Sequence, residues 1–250
     1  GKDALGANTT ADNNVAIGYN ALDANTTGSL NVAVGASALG ANINASNNTA
    51  LGAAALVANT TGASNTAVGK SALVANTTGA NNTAVGIAAA YGITTGQYNT
   101  AIGVNNLYNN NTSNNTAVGY NALTANTTGA QNTAVGNAAL DANTTGSSLT
   151  AVGNGALGAN TTGNVSTAVG YNALNSITTN GGCTAVGYQA LLLTTGENNT
   201  GVGKDALTAN TSGAYNTAVG HSALDANTTA SYNVALGYSA LFTNTLGDRN

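Results

Sequence analysis

A five-residue phrase, Asn-Thr-Ala-Val-Gly, returns along the whole chain, with small and apolar residues in fixed places between polar runs. Its glycine stands at Gly18, Gly35, Gly52, Gly69, Gly86, Gly103 and onward to Gly237. The spacing is 17 residues, except for steps of 16 before Gly119 and before Gly203. Numbered from the first Asn of a unit, as in residues 132–148, this glycine is position 5. Position 3 is Ala in every unit but the one with Gly201, position 4 is Val, Ile or Leu, and position 9 is Leu except at Ala90. Two or three glycines and several β-branched threonines per unit rule out a helix of useful length. A repeat of this period signals units that bury their apolar side only by stacking on one another. The pattern predicts two short strands, at positions 1–4 and 8–13, with glycines at positions 5 and 15 supplying corners where φ > 0 is required. The expected fold is all-β, a parallel β-solenoid (β-roll) of 17-residue coils about 4.8 Å apart. Residues 1–250 read as a single array of about fourteen coils.

Neighbouring strand positions point to opposite faces. Positions 4 and 9, which carry Val34, Val68, Val135, Val219, Leu73, Leu140 and Leu224, form the expected core ladder. Position 3 points the other way and is occupied by Ala67, Ala84, Ala134, Ala151 and Ala218. A solvent-facing place would accept Thr, Ser, Lys or Gln, so restriction to Ala or Gly implies close packing. That packing is either a second narrow layer within the same chain or contact with another chain. Ordering a coil costs roughly 1–2 kcal/mol per residue, and one buried Val or Leu returns about 1.5–3 kcal/mol. Several chains wound together would bury the Ala face as well, so interchain packing is the favoured expectation.

Position 12 is Asn in most units, including Asn25, Asn59, Asn76, Asn126, Asn143, Asn160 and Asn227. Stacked in register, such amides bond to the coils above and below. The same residues begin Asn-x-Thr/Ser sequences, which are N-glycan acceptors. Both readings stand at this point, with the ladder preferred.

Composition narrows the function. Charged residues make up 5% of the chain and the net charge is −4, against a usual charged share of roughly 25%. Four Lys and Arg residues cannot neutralise a phosphate track, which argues against nucleic acid. No apolar run approaches the roughly 18 residues of a membrane span. The single cysteine, Cys183, excludes an internal disulfide framework. Gly1 already falls at position 5 and Asn250 at position 1, with no atypical unit at either end. Solenoids need polar caps for solubility, so the expectation is a window from a longer array, or a protomer that stacks end to end.

The recurring Asn-Thr-Ala-Val-Gly phrase, with Tyr-x-Ala-Leu following it in several units, resembles the head and stalk repeats of trimeric autotransporter adhesins and of phage tail-fibre-type proteins. The resemblance covers the whole chain. It implies a left-handed parallel β-roll, a homotrimer about one axis and a role in attachment, with no catalytic residues. The unit here is longer, through its Asn-Thr-Thr-Gly segment.

Candidate chemistry is sparse. His221 is alone at position 6 and is expected to be an exposed corner residue. Cys183 replaces Asn at position 1. Asp23, Asp141 and Asp225 share position 10 in separate coils and make no paired-carboxylate site. The calcium-binding nonapeptide and the Walker lysine are absent. No catalytic, metal or cofactor role is expected, and the chain is not read as an enzyme. Tyr19, Tyr120, Tyr171, Tyr188 and Tyr238 share position 6 and could stack on host-surface sugars, although corner shielding is the preferred reading. The leading expectation is a structural segment of an extracellular, cell-surface or virion fibre that holds a distal tip away from its base. Alternatives are a glycan-decorated fibril, a glycan-binding module, and an ice-binding solenoid using Thr at positions 13 and 14. Adjacent residues point apart, which weakens the last.

Overall fold

The computed structural model describes all residues, 1–250. The chain forms two compact units, Gly1–Thr128 and Gly129–Asn250. Each coil contributes one strand, and each strand is three residues long, at positions 2–4. The first unit holds seven, from β1 (Val15–Ile17) to β7 (Thr116–Val118), and the second holds seven, from β8 (Thr133–Val135) to β14 (Val234–Leu236). Within a unit every strand pairs in parallel with its sequence neighbours and without slip, as in Thr66↔Thr83, Ala67↔Ala84 and Val68↔Val85. This bears out the all-β parallel solenoid with coils of about 17 residues.

Register survives the shortened coils. Thr100 still faces Thr116, and Thr184 still faces Thr200. In a full coil, the backbone N–H groups of positions 13 and 14 both donate to the position-13 carbonyl of the next coil, as Thr60 and Thr61 donate to Thr77. In the first shortened coil, Asn111 Oδ1 replaces that carbonyl and accepts from Thr94 N at 2.9 Å and Thr95 N at 3.0 Å; in the second, the Thr195 carbonyl accepts from Asn180 Nδ2 at 2.7 Å. The loss is absorbed in the Asn-Thr-Thr segment and leaves the strand untouched.

The second strand expected at positions 8–13 does not form. Positions 7, 9 and 17 lie in the left-handed region, for example Ser71 (φ 59°), Leu73 (φ 51°) and Asn81 (φ 60°). The chain therefore turns repeatedly where a strand would run straight. Coil-to-coil bonding continues through these turns: Leu56 N donates to Ala72 O at 3.0 Å and Thr60 N to Thr77 O at 2.9 Å. The backbone groups are satisfied without a second ladder of strands. A left-handed non-glycine residue costs roughly 1–2 kcal/mol. At position 9 the burial of the Leu side chain offsets this.

Glycine at position 5 is required twice over. Gly52 has φ 140°, and a Cβ placed there would fall 2.5 Å from the Gly69 carbonyl oxygen in the next coil. Glycine at position 15 has no positive φ, so the corner expected there belongs instead to position 17.

The inside and outside of the strand are the reverse of the expectation. Ala67, Ala84, Ala134, Ala151 and Ala218 are fully buried within their own chain, together with Leu73, Leu140 and Leu224. Val34, Val68, Val135 and Val219 are only half-buried and face outward, so they do not form a core ladder with the leucines. Gly201 shows why. A Cβ at this position-3 site would lie 3.0 Å from Leu191 Cγ in the preceding coil and 3.3 Å from the Ala206 carbonyl oxygen. The space between the strand and the position-9 Leu admits a methyl group and nothing larger. The tight packing inferred for position 3 is real, but it is the narrow layer within one chain, and the interchain assignment of these alanines is withdrawn. Core residues of one coil are thus Asn65, Ala67, Ala72, Leu73 and Asn76, all without solvent exposure.

Candidate functional site

Asparagine is the most organised side chain in the molecule. In the first unit Asn42 Nδ2 donates to Asn25 Oδ1 at 2.9 Å, Asn59 Nδ2 to Asn42 Oδ1 at 3.0 Å and Asn76 Nδ2 to Asn59 Oδ1 at 2.8 Å. In the second, Asn160 donates to Asn143 at 2.9 Å and Asn227 to Asn210 at 2.8 Å. Each Nδ2 also donates within its own coil to the position-15 carbonyl, as Asn59 does to Gly62 at 2.9 Å. The ladder breaks at Ile93, and the buried Oδ1 of Asn76 is left without a donor there. Asn126 belongs to the same system through Asn110 Oδ1, at 2.6 Å.

These geometries decide between the two readings of position 12. Asn25, Asn59, Asn76, Asn126, Asn143 and Asn227 have no exposed surface, and Asn160 has 1%. Their amide nitrogens are occupied, so the folded coil has no room for a glycan on them. Exposed Asn-x-Thr sequences lie instead at Asn47, Asn81, Asn114 and Asn198, at position 17.

A second ladder, at position 1, was missed. Asn65 N donates to Asn48 Oδ1 at 2.9 Å, and Asn65 Nδ2 donates to Gly79 O at 2.8 Å. Here side chain bonds to backbone, closing the coil just before its strand. The signal was present in the near-constant Asn before Thr, but it was absorbed into the strand phrase. Leu149, Ser166 and Cys183 occupy this rank in three successive coils. Cys183 is buried, its Sγ donates to Gly196 O at 3.4 Å, and burial pushes its thiol pKa upward.

The surface carries three further features. First, aromatic rings stack along the coils: Tyr91 on Tyr108, Tyr171 on Tyr188, Tyr215 on Tyr232 and His221 on Tyr238, with centroids 4.8–5.4 Å apart. Lys204 lies 5.9 Å from the Tyr188 ring centroid. Stacking covers one face of each paired ring, while Tyr19 and Tyr120 are exposed and belong to none of these pairs. Tyr215 donates its hydroxyl to Glu197 at 3.1 Å, and that carboxylate raises the phenol pKa. Second, Asp141 and Asp225 at position 10 have raised carboxyl pKa values, chiefly because burial disfavours the charged form. Third, the strands present an outward face of Thr at position 2 and Val, Ile or Leu at position 4. The surface has no enclosed cavity, and no group of three or more His, Cys, Asp or Glu side chains is placed to hold a metal ion. No helix is long and apolar enough to cross a membrane.

A scan against protein-family models finds no match for the chain, and a search of curated proteins finds none either. What the fold and side chains define is a β-solenoid with stacked Asn ladders.

Proposed function

We propose that the chain is a structural segment of an extracellular fibre, on a bacterial surface or a phage tail, that holds a distal element away from its base. The observation that carries this reading is the coil-to-coil bonding. Backbone and asparagine amides join each coil to its neighbours through the same contacts, repeated along each unit. Such an array transmits load and position along its axis, and its stability grows with each neighbouring interface. Attachment to host glycans, end-to-end stacking and bundling as a left-handed homotrimer belong to the same proposal through the resemblance to adhesin and tail-fibre repeats. Since the alanines are internal, a trimer would pack through the outward position-4 rank. Antibodies raised against the chain should decorate filaments on intact cells or virions in electron micrographs. Labelling confined to the cell interior would refute the fibre. Light scattering on the recombinant chain gives the strand count: threefold mass supports the bundle and unit mass removes it.

A further inference from the structure

The outward strand face differs from the rest of the surface in three respects. It is unbroken: from Thr49 to Thr116 in the first unit and from Thr133 to Thr217 in the second, every rung carries Thr at position 2 and an aliphatic residue at position 4. It is uncharged, since no Lys, Arg, Asp or Glu occurs at positions 1–5 of any coil. Its threonine hydroxyls make none of the coil-to-coil side-chain hydrogen bonds that the position-13 rank makes. The threonines at position 13 are different. Thr60 Oγ1 donates to Thr77 O at 3.1 Å and Thr77 Oγ1 to Thr94 O at 3.1 Å, so the hydroxyl protons of that rank are committed to the ladder.

We infer that this Thr-x-Val face binds ice. Rungs repeat at about 4.8 Å and the two ranks lie about 6.7 Å apart, two strand residues at roughly 3.3–3.4 Å each. These two repeats are close to the in-plane oxygen repeats of the prism face of hexagonal ice. Threonine brings a methyl group and a hydroxyl on a β-branched side chain with one stiff torsion, and valine brings two further methyls at a fixed place. The array can therefore hold an ordered water layer with little side-chain ordering cost on contact.

The dimensions also argue against a second copy as the occupant. Five rungs in the first unit and six in the second span about 19 and 24 Å, which at about 6.7 Å between ranks gives roughly 130–160 Å² per unit, against about 800 Å² per partner in a standard stable interface. The inference holds for a fibre segment as for an isolated solenoid, provided the face is open to solvent; a trimer packed through its position-4 rank would cover it, and threefold mass without a gap would overturn the inference.

The test uses the recombinant full chain in an ice-growth osmometer. The expected result is a gap between the melting and growth temperatures, with crystals shaped into facets. Thr83→Lys combined with Thr167→Lys, one change in each unit, should remove most of the gap. The change places an ammonium among the ranks while leaving the circular dichroism intact. Thr83→Ala with Thr167→Ala adds no bulk and should shrink the gap as well. Thr78→Lys, at an exposed threonine outside the strands, should leave it unchanged. Ice growing at the melting temperature in the parent protein would overturn the inference. So would a full gap in the folded double variants. A doubled mass in light scattering without any gap would assign the face to a second copy and overturn it too.

Discussion

Asn59→Ala is the sharpest test of what holds the coils in register. The side chain makes three hydrogen bonds: Nδ2 donates to Asn42 Oδ1 at 3.0 Å and to Gly62 O at 2.9 Å, and Oδ1 accepts from Asn76 Nδ2 at 2.8 Å. The consequences of removing it are unequal. Gly62 O still accepts from Asn48 at 3.0 Å, and Asn76 still donates to Gly79 at 3.0 Å. Asn42 Oδ1 is buried and loses its only donor. An orphaned buried acceptor costs about 1–3 kcal/mol and each lost bond about 1 kcal/mol, so the expected destabilisation is about 3–5 kcal/mol. Urea unfolding of parent and variant, followed by circular dichroism, measures it. Asn59→Ile copies the occupants at Ile93 and Ile177, which are themselves fully buried. It fills the space but keeps the orphan, so it should cost less than Ala. Thr78→Ala, on the exposed surface, should stay within about 0.5 kcal/mol. A cost below about 1 kcal/mol for Asn59→Ala would refute a stabilising ladder.

Three further outcomes follow from burial. Ala84→Val should destabilise by about 1–3 kcal/mol through overpacking, whereas Val85→Lys, on the outward rank, should fold with little change in thermal midpoint. Cys183 should resist alkylation in the native protein and react once urea unfolds it. Its raised pKa favours folding below the ordinary thiol value, and that contribution is lost as pH rises above it, so Cys183→Ser should flatten stability on the alkaline side. Asp141 and Asp225 are also raised, so their protonated forms favour folding below the ordinary carboxylate value, and this is lost as pH rises through the raised values. The thermal midpoint should therefore be higher near pH 4 than at pH 7, and Asp141→Asn should reduce the difference.

The repeat, its period and the parallel stacking were legible because one phrase recurs with so few substitutions. So was the position-12 ladder, since an amide repeated in register meets its own kind in the coils above and below. The steric limit at position 3 was legible too, but not its location. Hydrophobicity placed Val68 inside and Ala67 outside. The interior of so short a coil is governed by volume: beside Leu73, one methyl fills the available gap. The turns at positions 7 and 9 were hidden because Leu73 in the left-handed region goes against its own preference, and only its burial explains the placement. In the sequence, Thr83 is one of many threonines. What sets it apart from Thr77 is a hydrogen bond that Thr77 makes and Thr83 lacks, which no composition reveals.

The central claim is that one chain encloses Ala and Leu and turns Thr and Val outward. It is tested most directly by thiol accessibility in a Cys183→Ser background. Ala84→Cys should be protected from a maleimide reagent until the protein unfolds, while Val85→Cys, one residue further on, should react promptly in the native state. Prompt labelling of Ala84→Cys with protection of Val85→Cys would contradict the account and return valine to the core.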